Sequence, residues 1–306
     1  MRKIKFLIAF ILLGGLTWYF IIKDYNYRVT FTTSQAPGIV YDHLTKWNNG
    51  ENVNNKIVNI LTQSPFSEIQ HELVTGDSIF KIHWILTKKN DSTTLVTARI
   101  TDEKHSFKQN IQVIFNKNAF VKRSLSIVQN FGESLIQNAK NYKVSKISKD
   151  TIPSQNCAFI SLECKTQDKA KTMVKNIYVV MGYIKDNNLE LTGNPFLEIT
   201  EWNVANEIIK FDFCFPIEER DQYPETDVVK FKKTKEKAAL KVIFNGNYKI
   251  SDRAWYTIMD YAQTNKIDID ELPVEVFLND PHEGGNDLKW RAEVYMPIKK
   301  SPRRLR

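Results

Sequence analysis

Two acidic residues stand at matching places in the second half of this 306-residue chain. Phe211-Asp212-Phe213-Cys214-Phe215-Pro216-Ile217 aligns without gaps with Ala292-Glu293-Val294-Tyr295-Met296-Pro297-Ile298, so Asp212 and Glu293 precede the shared proline by the same distance. Both segments read as strands, and side chains alternate across a strand. Glu293 then shares a face with Arg291 and Tyr295, while Trp290, Ala292, Val294 and Met296 occupy the other face, which meets helices. An acid among aromatic rings suits a pocket for a cation or a polar-headed apolar molecule: the carboxylate attracts charge and flat rings hold the body. A surface ion pair between Glu293 and Arg291 accounts for the same pattern. Catalysis is a third possibility, with buried Glu293 as general base and the hydroxyl of Tyr295 or Tyr248 holding water or a leaving group.

Spacing offers no second acid-base partner, no nucleophile elbow and no glycine-rich phosphate loop, so binding is read ahead of catalysis. Cys157, Cys164 and Cys214 are too few for a disulfide framework, and no Cys or His spacing makes a metal site. No cofactor is expected. The net charge of +8 lies at the ends, on Arg2, Lys3 and Lys5 and on Lys299, Lys300, Arg303, Arg304 and Arg306. The body between is neutral overall, which argues against nucleic acid as a partner. The internal run Lys230 to Lys237 reads as a solvated edge or connector.

The acids are placed by an internal repeat of strand, helix, strand, strand. The first copy has Cys157–Cys164, a helix over Lys169–Ile184, then Phe196–Trp202 and Ile208–Phe215. The second has Ala238–Tyr248, a helix over Asp252–Thr264 opened by Ser251 as cap, then Val274–Leu278 and Trp290–Met296. Trp202 and Tyr183 are further pocket candidates, whereas Trp255 and Phe213 read as core. His282-Glu283-Gly284-Gly285 reads as a turn before the last strand.

Ahead of the repeat, Phe6 to Ile22 carries no charge and as a helix reaches roughly 26 Å, enough to span a bilayer. Trp18 and Tyr19 suit its far interface, and the basic N-terminus predicts a cytoplasmic start with the rest outside. A cleaved signal peptide is the competing reading, but no small-x-small site precedes Lys23. From Tyr27 the order is a strand, a helix with Ser34 as cap and Pro37 in its first turn, several strands, and a long helix. Phe80–Leu86 and Thr93–Ile100 form a hairpin around a turn at 88–91. Val121, Leu125, Val128, Phe131, Leu135, Ile136 and Ala139 give the closing helix one apolar face.

The order over residues 27–143 resembles the helix-grip fold of the polyketide-cyclase and START-like superfamily, which implies a curved sheet and an apolar cavity. Phe80, Trp84 and Leu86 are read there as core rather than ligand lining. Residues 151–300 resemble the effector-binding domain of bacterial transcription activators, also called gyrase-inhibitory-protein-like. The resemblance rests on Gly193-Asn194-Pro195-Phe196, Phe211–Pro216, Gly246-Asn247-Tyr248 before a helix with Trp255, and Trp290–Pro297. It implies two pseudo-symmetric units around a pocket with Glu293 at the floor. No helix-turn-helix precedes the domain, so direct transcriptional control is not implied. Some members resemble hydrolases of strained small molecules.

The expected architecture is α+β: an anchor over 1–26, a helix-grip domain over 27–146, an effector-binding domain over 147–300 and a basic tail over 301–306. The expected protein is single-pass in the cytoplasmic (inner) membrane. It binds a small amphipathic or hydrophobic molecule, a cation among the candidates, through Glu293, Asp212, Tyr295, Trp202, Tyr183 and Tyr248. The alternatives are a hydrolase using Glu293 with Tyr295, and a scaffold with collapsed pockets.

Overall fold

The apolar N-terminal run is helical, as α1 (Arg2–Thr17) and a π-helical turn (Trp18–Ile22). Lys3–Ile22 is long and apolar enough to cross a membrane, with mean hydropathy 2.0. The structure is a computed structural model and describes residues 2–49, 57–75, 78–90, 93–115, 118–224, 226–281 and 284–299. His282 and Glu283 of the expected turn, Asp91 of the hairpin turn and the 301–306 tail lie outside these. Two compact units divide the chain, one over Met1–Lys89 and Thr93–Ile136, the other over Gln137–Arg306 together with Asn90–Ser92.

In the first unit, β1 (Tyr27–Thr33) precedes α2 (Pro37–Thr45), followed by β2 (Ile57–Ser64), β3 (Glu68–Thr75), β4 (Ser78–Asn90) and β5 (Thr93–Asp102). The five strands form one sheet in the order β1-β5-β4-β3-β2. Burial alternates along β4 and β5, as the period of a half-buried strand requires. The inward side chains Phe80, Ile82, Trp84, Val96, Ala98 and Ile100 pack against α4 (Ala119–Asn138) through Val121, Val128, Phe131 and Leu135. Trp84 and Phe80 are thus core, and the Trp84 and Phe131 ring centroids are 4.8 Å apart.

Three local expectations change. The cap of α2 is Ala36, not Ser34, since Pro37 fixes the first helical position. Ile136 points to solvent because it follows buried Leu135 on the helix. A helix not foreseen, α3 (Ser106–Phe115), stands between β5 and α4.

The second unit carries both copies of the repeat. It opens with β6 (Tyr142–Val144) and β7 (Ser148–Ile152); copy one follows as β8 (Asn156–Lys165), α5 (Lys169–Asp186), β9 (Phe196–Asn203) and β10 (Ile208–Pro216). After the edge strand β11 (Lys230–Lys233) comes copy two: β12 (Lys237–Gly246), α6 (Asp252–Thr264), β13 (Val274–Phe277) and β14 (Arg291–Pro297). The sheet runs β11-β8-β10-β9-β13-β14-β12-β6, with β7 also on β12. The copies meet antiparallel at β9 and β13, where Leu197 faces Glu275 and Glu198 faces Val274.

One face of this sheet packs on the helices. Phe211, Phe213, Phe215, Val242, Ala292, Val294 and Met296 share a core with Met173, Val180 and Ile184 of α5 and Trp255 and Ile258 of α6. The other face carries a smaller cluster around Cys157, Phe159, Phe196, Cys214 and Tyr295. Cys157 and Cys164 fall on opposite faces, as their odd separation on a strand requires.

Candidate ligand-binding site

The helix face holds a cavity of about 820 Å3 between α5, the sheet and the loops after α5 and β13. This is within the roughly 300–1,000 Å3 range of ligand pockets. Its walls are apolar: Met173, Ile177 and Met181 of α5 face Phe213, Phe215 and Phe277 of the sheet. These α5 positions recur at intervals of four, so a single helix stripe covers the cavity. Tyr248 closes one end, its hydroxyl donating to the Arg291 carbonyl at 2.8 Å. Burial pushes that hydroxyl up to about 12, so it stays protonated. Polar groups sit at the margin, among them Asp168, Lys171, Lys249 and Asp280.

Behind the wall is a buried polar cluster that joins the two copies. Lys169, the first residue of α5 in copy one, places Nζ 2.7 Å from Oε1 of Glu275 and 2.7 Å from Oγ of Ser251, both in copy two. Trp255 Nε1 donates to Glu275 Oε1 at 2.6 Å, and Ser251 Oγ lies 2.9 Å from Glu275 Oε2. The ammonium also sits over the Trp255 ring, 4.4 Å from its centroid. Lys169 and Glu275 are wholly buried. Two buried charges are tolerated only when paired and hydrogen-bonded, and both oxygens of Glu275 are occupied. Ser251 accordingly makes no side-chain cap to α6, the role expected from the sequence. The cluster adjoins the cavity because Met173 follows Lys169 by one turn and Phe277 shares a strand face with Glu275.

The opposite face gathers acids and lysines. Glu293 accepts from the Tyr295 hydroxyl at 2.6 Å and pairs with Lys241 at 3.0 Å. Glu293 is 25% exposed. Burial, with the Glu293 carboxylate, pushes the Tyr295 hydroxyl up to about 12. Asp212 accepts from Ser161 at 2.8 Å and pairs with Lys232 at 2.6 Å, and Lys232 also reaches Glu198 at 2.8 Å. Burial opposes the Lys232 charge, but Cys214, Asp212 and Glu198 outweigh it and hold the ammonium above the usual lysine range. Burial likewise opposes the Glu198 charge, yet Lys232 and Lys237 keep its carboxyl below the usual range. A hollow of about 180 Å3 lies here, lined by Glu198, Lys237, Glu293 and Tyr295 among others.

The structure therefore separates the sequence candidates. Tyr248 lines the large cavity; Glu293 and Tyr295 line the small hollow on the other face; Asp212 lies on that face, paired with Lys232. Trp202 packs edge-on against Trp255 with centroids 5.3 Å apart, and Tyr183 donates to the Pro224 carbonyl at 2.7 Å. Neither is in the wall of either hollow. Arg291 is exposed and Glu293 is paired with Lys241 across the sheet instead. The residues that sequence reasoning missed are Lys169, Glu275 and the α5 stripe. One signal was available: in Val274-Glu275-Val276-Phe277 the alternation puts a carboxylate on the same side as a core phenylalanine.

Residues 145–299 match the GyrI-like small molecule binding domain, and the chain belongs to that family. No curated protein matches the chain. Among solved structures, the C-terminal domain of EcmrR is similar at 19% identity and a TM-score of 0.43, over 51% of this chain and 98% of that one. A hydrolase from Listeria innocua aligns at 14% identity and a TM-score of 0.35, over 54% and 98% of the two chains. SAV2435 bound to tetraphenylphosphonium aligns at 11% identity and 0.34, over 51% and 94%. The family confirms the resemblance read from the repeat, and with it small-molecule binding by the second unit.

Proposed function

We propose that this protein is a membrane-anchored receptor for a small amphipathic molecule whose apolar body enters the cavity between α5 and the sheet. The supporting observation is that cavity, large enough for a drug-sized molecule and walled by methionine, isoleucine and phenylalanine side chains. Methionine adapts to irregular shapes, and the rings give flat contact. The charge of the ligand follows from the acids. Glu275, buried beside the cavity, is neutralised by Lys169, and the acids in the cavity lining, Asp168 and Asp280, are accompanied there by Lys171, Lys175 and Lys249. Among the ligands admitted by the sequence, an uncharged aromatic or alicyclic body fits this balance better than a cation. Lys3–Ile22 supports the anchor by length and composition, and Arg2, Lys3 and Lys5 favour an N-terminus in the cytoplasm with both units outside. The first unit, a sheet crossed by a closing helix, we read as a helix-grip body.

The test uses the full chain in detergent and two probes, neutral N-phenyl-1-naphthylamine and cationic tetraphenylphosphonium. Ile177→Trp puts an indole ring at the middle of the α5 stripe that faces the cavity and leaves the sheet residues unchanged. The expected result is saturable binding of the neutral probe by the parent, weakened at least tenfold in the variant, with weaker binding of the cation. Equal binding by parent and variant removes the cavity from the account.

A further inference from the structure

The helix α3 exposes large apolar side chains that a water-facing surface does not need. Phe107, Ile111, Ile114 and Phe115 are 69%, 39%, 57% and 80% exposed. Their spacing of four, three and one places them on one stripe of the helix. Contiguous exposed apolar side chains of this size mark an interaction surface.

The neighbouring structure identifies what covers them. Tyr19, in the last turn of the N-terminal apolar helix, donates its hydroxyl to the Asn110 carbonyl of α3 at 2.9 Å. The Phe20 and Phe107 rings lie 5.6 Å apart. Buried Asn26 fastens α3 to the body, its amide donating to the Ser106 carbonyl at 2.9 Å and to Asn110 Oδ1 at 2.8 Å, while its own oxygen accepts from the Asp102 amide at 2.9 Å. The stripe is thus held against the end of the apolar helix, where Trp18 and Tyr19 are residue types that favour the headgroup level of a bilayer. Lys23 lies over the rings of Tyr19 and Tyr25, 4.3 and 4.7 Å from their centroids. Lys104 and Lys108 are exposed beside the stripe. Aromatic and aliphatic side chains flanked by lysines suit the boundary between acyl chains and anionic headgroups.

We propose that α3 is an interfacial helix that inserts Phe107, Ile111, Ile114 and Phe115 into the outer surface of the bilayer crossed by Lys3–Ile22. The inference rests on the anchor reading of that helix. A single spanning helix leaves the attached body free to tilt; a second contact, fixed to the first by Tyr19 and Asn26, sets the orientation of the first unit on the lipid surface.

The experiment uses the full chain with Cys157, Cys164 and Cys214 replaced by serine, reconstituted in vesicles of phosphatidylethanolamine and phosphatidylglycerol. Single nitroxide labels are placed through Ile114→Cys on the stripe, Gln112→Cys on the exposed polar side of α3, and Leu12→Cys in the apolar helix. Collisions with oxygen report lipid, and collisions with a water-soluble nickel chelate report water. The expected result is a several-fold higher oxygen-to-nickel ratio at 114 than at 112, with the label at 12 deep in lipid. A label at 12 in lipid with 114 open to nickel overturns the interfacial helix alone. A label at 12 open to nickel overturns the anchor. A label at 114 shielded from both reagents overturns lipid as the occupant in favour of a protein surface.

Discussion

The ammonium of Lys169 lies 2.7 Å from the carboxylate of Glu275, both buried, one from each copy of the repeat. The pair locks the first turn of α5 onto β13 and leaves the wall beside the cavity electrically balanced. Breaking a buried pair from one side strands a charge, at a cost of about 3–5 kcal/mol. Lys169→Met should therefore lower the thermal midpoint of the second unit by many degrees, and adding Glu275→Gln should restore much of it. A single variant as stable as the parent would contradict this role.

Glu293 gives the opposite expectation. It lies on the face away from α5 and is partly exposed, so Glu293→Gln should change stability by about 1 kcal/mol or less. Binding of N-phenyl-1-naphthylamine should stay within twofold of the parent. A large loss of affinity would return the ligand to the small hollow lined by Glu293 and Tyr295.

These two acids show what was legible. Gapless alignment of 211–217 with 292–298 located β10 and β14 and their shared face, because strand alternation is local. Element boundaries in the repeat came out within a few residues for the same reason. Which face carries the cavity depends on how α5 rides over the sheet, a long-range packing outcome that periodicity does not encode. Met173, Ile177 and Met181 gave no sign of a cavity because an apolar stripe facing a cavity and one facing a core share the same spacing, and Phe213 read as core for the like reason on its strand. Lys169 had no signal, since a lysine at a helix start is ordinarily solvated. α3 escaped because its apolar stripe faces outward, next to a spanning segment read separately from the body.

Gly246 tests the backbone at the end of β12. Its φ of +150° is sparsely populated by other residues, and an added Cβ would come within 2.9 Å of the Phe244 ring and 3.0 Å of the Asn141 carbonyl. Gly246→Ala should cost about 1–3 kcal/mol, seen as a lower urea midpoint. An unchanged midpoint would show that the Phe244 ring, the Asn141 carbonyl and the Tyr142 Cβ give way at no cost.

In the first unit, burial pushes His71 down to about 4, the Leu44 backbone opposing it. The unfolded group titrates near 6.5, so below that pH the unfolded chain takes up a proton that the folded unit refuses. Stability is fully present above pH 6.5 and falls progressively toward pH 4, by on the order of 3 kcal/mol. Urea titrations across this window should show the decline in the parent and a flatter profile in His71→Met. The same slope in both would assign it to other groups.

The central claim is that the ligand lies under α5, on the helix face of the sheet. Photolabelling with benzophenone, a neutral aromatic that favours methionine C–H bonds, reads this directly by peptide mass spectrometry on the full chain. Adducts on Met173 and Met181, suppressed by excess N-phenyl-1-naphthylamine, are the predicted result. Competable adducts confined to Phe196, Glu293 or Tyr295 would contradict it.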